Sequence, residues 1–245
     1  MTMRALVLAA GRGERMRPLT NDCPKPLLPV GGKPLIVWQI ERLARAGYGD
    51  IVVNVSYLAE RITAFLGDGG EFGVRIVYSP EVEPMESAGG IAHALPLLGE
   101  GPVLVVASDV YTEFDYARLA RPHALIDDAG SHGAIGFPGA HLVLVANPAF
   151  RPQGDYALSA PDDANPYGRV GVMGSPRWTW TGIGVFHRAL LREIPFGKKI
   201  PLLPFFADWM GRGLIGGELY EGVWDNLGTP EQLHRLDARL AAARG

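Results

Sequence analysis

Residues 8–30, LAAGRGERMRPLTNDCPKPLLPV, gather two glycines, Arg12, Arg15, Arg17 and a lysine between prolines into one stretch. Residues of these types at this spacing suit an anion. Gly11-Arg12-Gly13 lets the backbone turn sharply and bring N–H groups against anionic oxygens. Pro24 and Pro26 each fix their own φ and restrict the residue before them, so Lys25 stands on a stiffened backbone. A loop lysine is usually a flexible solvated charge; one braced on both sides is better suited to a fixed anion. Two familiar phosphate motifs are not matched. Met16 stands where a dinucleotide fingerprint needs its third glycine, and Pro34 follows Gly32-Lys33 where a P-loop needs Ser or Thr. Gly-x-Gly alone marks an ordinary strand–helix turn more often than a ligand loop, so the lysine and arginines carry the phosphate reading.

Asp109 follows the apolar run PVLVVAS and is a lone acidic candidate. A strand's C-terminal end is where ligands bind in open α/β sheets, although an acid there serves as readily as a helix cap. The sequence suggests no Ser-His-Asp, Cys-His or HExxH constellation. The six histidines read as structural or solvated, and Trp178-x-Trp180 as core.

The elements that must position these residues alternate regularly in the first half. RALVLA (4–9), IVVNVS (51–56), VRIVYS (74–79) and PVLVVAS (102–108) are short continuous apolar runs, typical of strands buried on both faces. Between them, PLIVWQIERLARAG (34–47), YLAERITAFLG (57–67) and the region near 89–99 carry helical patterns. This alternation implies a parallel sheet covered on both faces. The second half is looser: HLVLVANP (141–148) and WTWTGIGVFH (178–187) are strand-like around a polar stretch at 151–177, and helices are expected near 201–212 and 230–243. Thr229, Pro230 and Gln232 form a capping-box start for the last helix.

With 245 residues the chain can bury a sizeable core, and 47% apolar against 20% charged residues is an ordinary globular balance. A net charge of −3 argues against a nucleic-acid partner. Positive charge is instead concentrated in the first 33 residues, which points to a small anionic ligand. The single Cys23 cannot form an internal disulfide. The apolar run 5–10 is too short for a signal-peptide core and no segment is long enough for a membrane span, so a cytoplasmic protein is expected.

LAAGRGERMRPLT…PKPLLPVGGKPLI resembles the signature of the sugar-phosphate nucleotidyltransferases. Further matches follow in SAGGIAHAL (87–95), VVASDVY (105–111), TGIGVF (181–186) and WDNLGTPEQL (224–233). The resemblance implies a Rossmann-like α/β fold, a mostly parallel mixed sheet with helices on both faces, as one domain over 1–245. Residues 1–120 would bind nucleotide and 121–245 the sugar, and the appended domains of larger relatives are expected to be missing. It implies transfer of a nucleotidyl group from a nucleoside triphosphate to a sugar 1-phosphate, with Mg2+. Leu8, Ala10, Gly11, Arg12 and Gly13 would hold the triphosphate, Arg15 the outgoing pyrophosphate and Lys25 the α-phosphate. Gly89 and Gly90 would let the backbone approach the nucleobase. Asp109 becomes a metal ligand, and so does Asn226, which stands where the family usually carries Asp; this departure leaves a non-catalytic nucleotide-sugar-binding homologue as an alternative. Tyr111, Asn147, Asp155, Thr181 and Gly182 are sugar-pocket candidates. PMESAGGI and HLVLVANPAFRPQGDYALS resemble segments of members that transfer uridylyl to N-acetylmuramate 1-phosphate in peptidoglycan recycling. Guanylyl transfer to mannose or heptose 1-phosphate is the other expectation.

Overall fold

A computed structural model describes residues 4–132, 139–162 and 165–243. In chain order, β1 (Arg4–Leu8) leads through a long loop to a short ribbon of β2 (Pro29–Val30) and β3 (Lys33–Pro34), then α1 (Leu35–Arg45). The alternation continues with β4 (Asp50–Val55), α2 (Ala59–Leu66), β5 (Arg75–Pro80), α3 (Glu86–Ala94) and β6 (Val103–Ala107). After β7 (Val110–Thr112) and α4 (Ala120–His132) come β8 (Ala140–Val145), β9 (Tyr156–Leu158), β10 (Val170–Gly171) and the long β11 (Arg177–Phe186). The chain closes with α5 (Arg188–Leu191), α6 (Leu203–Gly211), β12 (Ile215–Tyr220), β13 (Trp224–Asn226) and α7 (Pro230–Ala242).

The strands β5-β4-β1-β6 lie side by side and parallel. β11 then runs antiparallel to both β6 and β8, while β12 lies parallel to β8, so the sheet is mixed and mostly parallel. Period-two alternation decides which face each side chain covers. On β1, Ala5 and Val7 join the cluster under α1 and α2, with Ile36, Ile40, Leu43 and Ile62. Leu6 points the other way, into the cluster of Ile91, Phe206 and Trp209 under α3 and α6. A strand buried on both faces must be apolar, and Ala5 to Leu8 are, with Arg4 at the strand's start paired to Asp50.

Several elements carry no clear sequence pattern. α4 contains Pro122, and β12 begins Ile-Gly-Gly. Gly217 is required there by packing: a Cβ would lie 2.8 Å from the Leu142 carbonyl oxygen. The polar stretch at 151–177 contains β9 and β10, which extend the sheet only through the first residues of β11. The ribbon of β7 and β13, three residues a side, ties the C-terminal segment to the end of β6. The capping box of α7 forms as expected: the Gln232 amide N–H donates to the Thr229 hydroxyl, and the Gln232 side chain accepts from the Thr229 N–H. Leu233 and Leu236 bury that helix against Met16, Leu28 and Val30, each contributing about 2 kcal/mol relative to an exposed position. The C-terminal helix thereby clamps the glycine-arginine loop. Among the described residues, no helix is long and apolar enough to cross a membrane.

Candidate active site

From β1 the chain moves outward to β4 and β5, then returns past β1 to β6. The loops leaving β1 and β6 therefore diverge, opening a crevice at the carboxyl ends of these strands. The glycine-arginine loop leaves β1 there and Ser108-Asp109 leaves β6. Together they line a cleft of about 620 Å3, with Lys25, Asn54, Glu81 and Ser87 among the other lining residues.

The loop is held from beneath. The Ala9 N–H donates to Asn54 Oδ1 at 2.6 Å, Asn54 Nδ2 donates to Glu81 Oε1 at 2.6 Å, and the Met85 N–H donates to Glu81 Oε2 at 2.8 Å. This buried chain of hydrogen bonds joins the start of the loop to the segment before α3. Gly13 has a left-handed φ of 62°, and its carbonyl accepts from the Met16 N–H and the Thr20 hydroxyl. A Cβ on Gly13 would stand 3.0 Å from both Lys25 Cβ and Thr20 Cγ2, so the glycine allows the loop to close onto the lysine. Gly11 is different: nothing lies within 4 Å of the place its Cβ would take.

Pro24 precedes a short 3-10 turn, Lys25–Leu27, which directs the lysine inward. Its side chain is 11% exposed, and Nζ donates to Asp109 Oδ2 at 2.6 Å. Arg12 and Arg15 are exposed and form no ion pair among the described residues. Arg15 passes beside Gly228, where a Cβ would come within 3.3 Å of its Nη2. The Gly228 N–H donates to Gln232 Oε1 at 2.7 Å, so the α7 capping box also fixes the wall against which Arg15 lies. Two uncommitted guanidinium groups thus flank a lysine–aspartate pair in one crevice, as a polyanion would require. Cys23 is no candidate nucleophile: burial pushes its thiol above the ordinary value, against the opposing pull of Arg61.

Leu8, Ala10, Gly11, Arg12, Gly13, Arg15, Lys25 and Asp109 all line this cleft. Gly89 and Gly90 do not. A Cβ on Gly89 would lie 2.2 Å from the Lys198 carbonyl oxygen, and one on Gly90 would lie 2.6 Å from Asn54 Nδ2. The close backbone approach foreseen at these glycines is made by the protein's own chain. Ala88 and Gly89 also donate their N–H groups to the Ile200 carbonyl, so this end of α3 is occupied internally. Glu86 and Ser87, just upstream, reach the cleft instead. Tyr111 is buried away from it, edge-on to Trp38 at a ring separation of 5.3 Å, because alternation along β7 turns it into the cluster beneath α7.

Asn147, Asp155 and Thr181 act as braces. Asn147 Nδ2 donates to the carbonyls of Pro152 and Arg177, Asp155 accepts from the Trp180 N–H at 2.9 Å, and Thr181 donates to the Val143 carbonyl at 2.7 Å. Gly182, at φ 83°, lets an irregularity in β11 lie against Ala107 of the cleft floor, where a Cβ would come within 2.8 Å. Asn226 lines a neighbouring cavity with Trp224 and Asp225. Its Oδ1 is buried without a hydrogen-bond partner, while the Asp225 carboxylate pairs with Arg239. The Leu227 N–H, next in the chain, donates to the Asp109 carbonyl at 2.9 Å.

The cleft residues missed by sequence reasoning include Asn54, Glu81, Glu86, Ser87 and Ser108. Asn54 had a usable signal, since one polar residue inside IVVNVS must find partners once the strand is buried. Glu81 had none, because its partner lies 27 positions away.

Residues 4–138 match the family model described as nucleotidyl transferase. The chain is 41% identical over 241 residues to N-acetylmuramate alpha-1-phosphate uridylyltransferase of Neisseria meningitidis, covering 98% of this chain and 99% of that protein. It is 36% identical to the protein of the same name from Caulobacter vibrioides, over 98% and 97% of the two chains. A Bacillus anthracis crystal structure, assigned as a glucose-1-phosphate thymidylyltransferase and determined with sucrose, superposes with a TM-score of 0.79 at 20% identity, covering 97% of this chain and 95% of the other. That likeness concerns the fold. A glycine loop at the switch point of a mixed sheet, a cationic crevice around it and similarity along the whole length agree: the chain belongs to the nucleotidyl transferase family.

Proposed function

We propose that this enzyme transfers uridylyl from UTP to N-acetylmuramate 1-phosphate, giving the UDP-sugar and pyrophosphate. The similarity over nearly the full length to N-acetylmuramate alpha-1-phosphate uridylyltransferases carries the choice of substrates. In the proposed reaction an anionic oxygen of the sugar phosphate attacks the α-phosphorus, and the bond from that phosphorus to the bridging oxygen of pyrophosphate breaks. The attacking oxygen carries no proton near neutral pH, so no general base is needed. The barrier is the approach of two polyanions, which positioning and fixed positive charge lower. In this reading Lys25 stabilises charge developing at the α-phosphate, Arg15 takes the departing pyrophosphate, and Leu8, Ala10, Gly11, Arg12 and Gly13 align the triphosphate. Residues 1–120 form the nucleotide half and 121–245 the sugar half of one domain. A cytoplasmic location belongs to the same proposal, since nucleoside triphosphates are supplied there.

Asp109 and Asn226 are the proposed holders of Mg2+. A carboxylate and an amide oxygen are acceptable hard ligands, and the unpartnered buried Asn226 Oδ1 is an acceptor that a cation would satisfy. When bound, Mg2+ supplies Lewis-acid neutralisation of the phosphate oxygens. Pairing with Lys25 makes Asp109 a weak metal ligand by itself, so the phosphates must contribute much of the coordination.

Pyrophosphate release across a panel of nucleoside triphosphates and sugar 1-phosphates tests the reaction. UTP is expected to lead GTP, ATP and CTP, and N-acetylmuramate 1-phosphate to lead mannose 1-phosphate. A kcat/KM ranking headed by GTP with mannose or heptose 1-phosphate would replace this reading by guanylyl transfer, and no turnover with any pair by a non-catalytic binding role. The metal assignment has its own test. Asn226→Ala is expected to raise the Mg2+ concentration for half-maximal rate and Asn226→Asp to lower it, whereas Asp225→Ala leaves it unchanged because that carboxylate is committed to Arg239. An Mg2+ requirement that moves only in Asp225→Ala transfers the ligand role to the neighbouring residue.

A further inference from the structure

Next to the cleft lies a second cavity, of about 120 Å3, whose walls include Ala149, Phe150, Trp224, Asn226 and Arg235. One residue of chain separates the two spaces. Asn226 lines the small cavity, Gly228 lines the cleft, and Leu227 between them is hydrogen bonded to the backbone of Asp109. The walls are anchored. Asn147 holds the loop of Ala149 and Phe150 through the Pro152 and Arg177 carbonyls, and the Arg151 N–H closes the turn onto the Pro148 carbonyl at 2.8 Å. The Trp224 indole N–H donates to the Thr181 carbonyl at 3.0 Å. The residues that look like sugar ligands in the sequence, Asn147 and Thr181, therefore shape this cavity from behind.

Apart from Asn226 Oδ1, assigned above to Mg2+, most of its polar groups are already engaged. Asp225 is neutralised by Arg239, and Gln232 Oε1 accepts from the Gly228 and Thr229 N–H groups. Arg235 is exposed and makes no hydrogen bond or ion pair among the described residues. Beside it Phe150, 55% exposed, presents an aromatic face to the cavity. One free guanidinium next to an aromatic face and a methyl-sized wall suits a small group carrying both a carboxylate and a methyl.

We propose that this cavity receives the lactyl ether of the sugar 1-phosphate, with the carboxylate on Arg235 and the methyl against Ala149 and Phe150. The inference rests on the reading that N-acetylmuramate 1-phosphate is the acceptor. The lactyl group hangs from C3, two ring carbons from the phosphate on C1. A sugar whose phosphate reaches Lys25 and Asp109 can therefore extend this second charge into the adjoining cavity. Arginine binds a carboxylate through two parallel N–H donors, a geometry that a neutral sugar cannot use.

The test compares N-acetylmuramate 1-phosphate with N-acetylglucosamine 1-phosphate, which lacks the lactyl group, using saturating UTP. For Arg235→Gln the preference for the acid is expected to fall at least about tenfold, through the acid's KM, with kcat and the KM for UTP held. Arg235→Lys should restore part of the preference, and Phe150→Ala should weaken the acid's KM about threefold. A wild-type preference that persists in Arg235→Gln overturns the inference while the acceptor assignment stands. Equal losses on both sugars overturn it too, since they mark a structural role. A wild-type enzyme with no preference for the acid removes the acceptor assignment and this inference together.

Discussion

Lys25→Ala is expected to lower kcat by about 10^2- to 10^3-fold, the usual consequence of removing a fixed group that stabilises transition-state charge. Three features set this size. The side chain is 11% exposed, so its charge acts in a partly desolvated crevice rather than in bulk water. The Pro-Lys-Pro turn and the bond to Asp109 hold the ammonium in place before substrate arrives. Its partner, Asp109, lies 2.6 Å away on the strand end where the α-phosphate is proposed to sit. The fold should survive, because removing Lys25 leaves Asp109, 35% exposed, solvated by water rather than as an unpaired buried charge. Circular dichroism and thermal unfolding should therefore match wild type within a few degrees while pyrophosphate release collapses. A folded Lys25→Ala enzyme turning over near the wild-type rate would remove this residue from the mechanism.

Gly89→Ala is the largest expected effect on stability. The added methyl carbon would stand 3.0 Å from Met85 Cβ and 2.2 Å from the Lys198 carbonyl oxygen, the second a distance no packed side chain adopts. A backbone carbonyl cannot rotate aside as a flexible side chain can, so residues 198–200 must move away from α3. That movement breaks the bonds from the Ala88 and Gly89 N–H groups to the Ile200 carbonyl and from the Leu202 N–H to Ser87 Oγ. Overpacking with lost hydrogen bonds costs about 2–4 kcal/mol. Unfolding in urea should show a lower midpoint at an unchanged slope, and the KM for UTP should rise secondarily because Ser87 and Glu86 line the cleft. A Gly89→Ala variant as stable as wild type, with only its nucleotide affinity reduced, would return Gly89 to the role of a direct nucleobase contact.

The fold and the glycine-arginine side of the cleft were legible in the sequence for a local reason. The strands β1, β4 and β6 lie inside the sheet and so appear as largely apolar runs, and Thr229-Pro230 with Gln232 writes the start of α7 into four consecutive positions. The loop from Leu8 to Arg15 and the braced Lys25 likewise carry their chemistry within one stretch of chain. The tertiary structure alone decided what depends on distant partners. Asn54 and Glu81 support the loop through a hydrogen bond spanning 27 positions, and Lys25 finds Asp109 across 84. Gly89 and Gly90 look the same in sequence whether a ligand or the protein's own atoms need the space, and here the Lys198 carbonyl and the Asn54 side chain take it. Tyr111 and Asp109 are two residues apart, yet one turns into the core and the other into the cleft, because β7 pairs with β13 at that point. Side-chain type and spacing set which chemistry was available. Strand pairing and packing, which depend on contacts between remote segments, set which of those side chains meet.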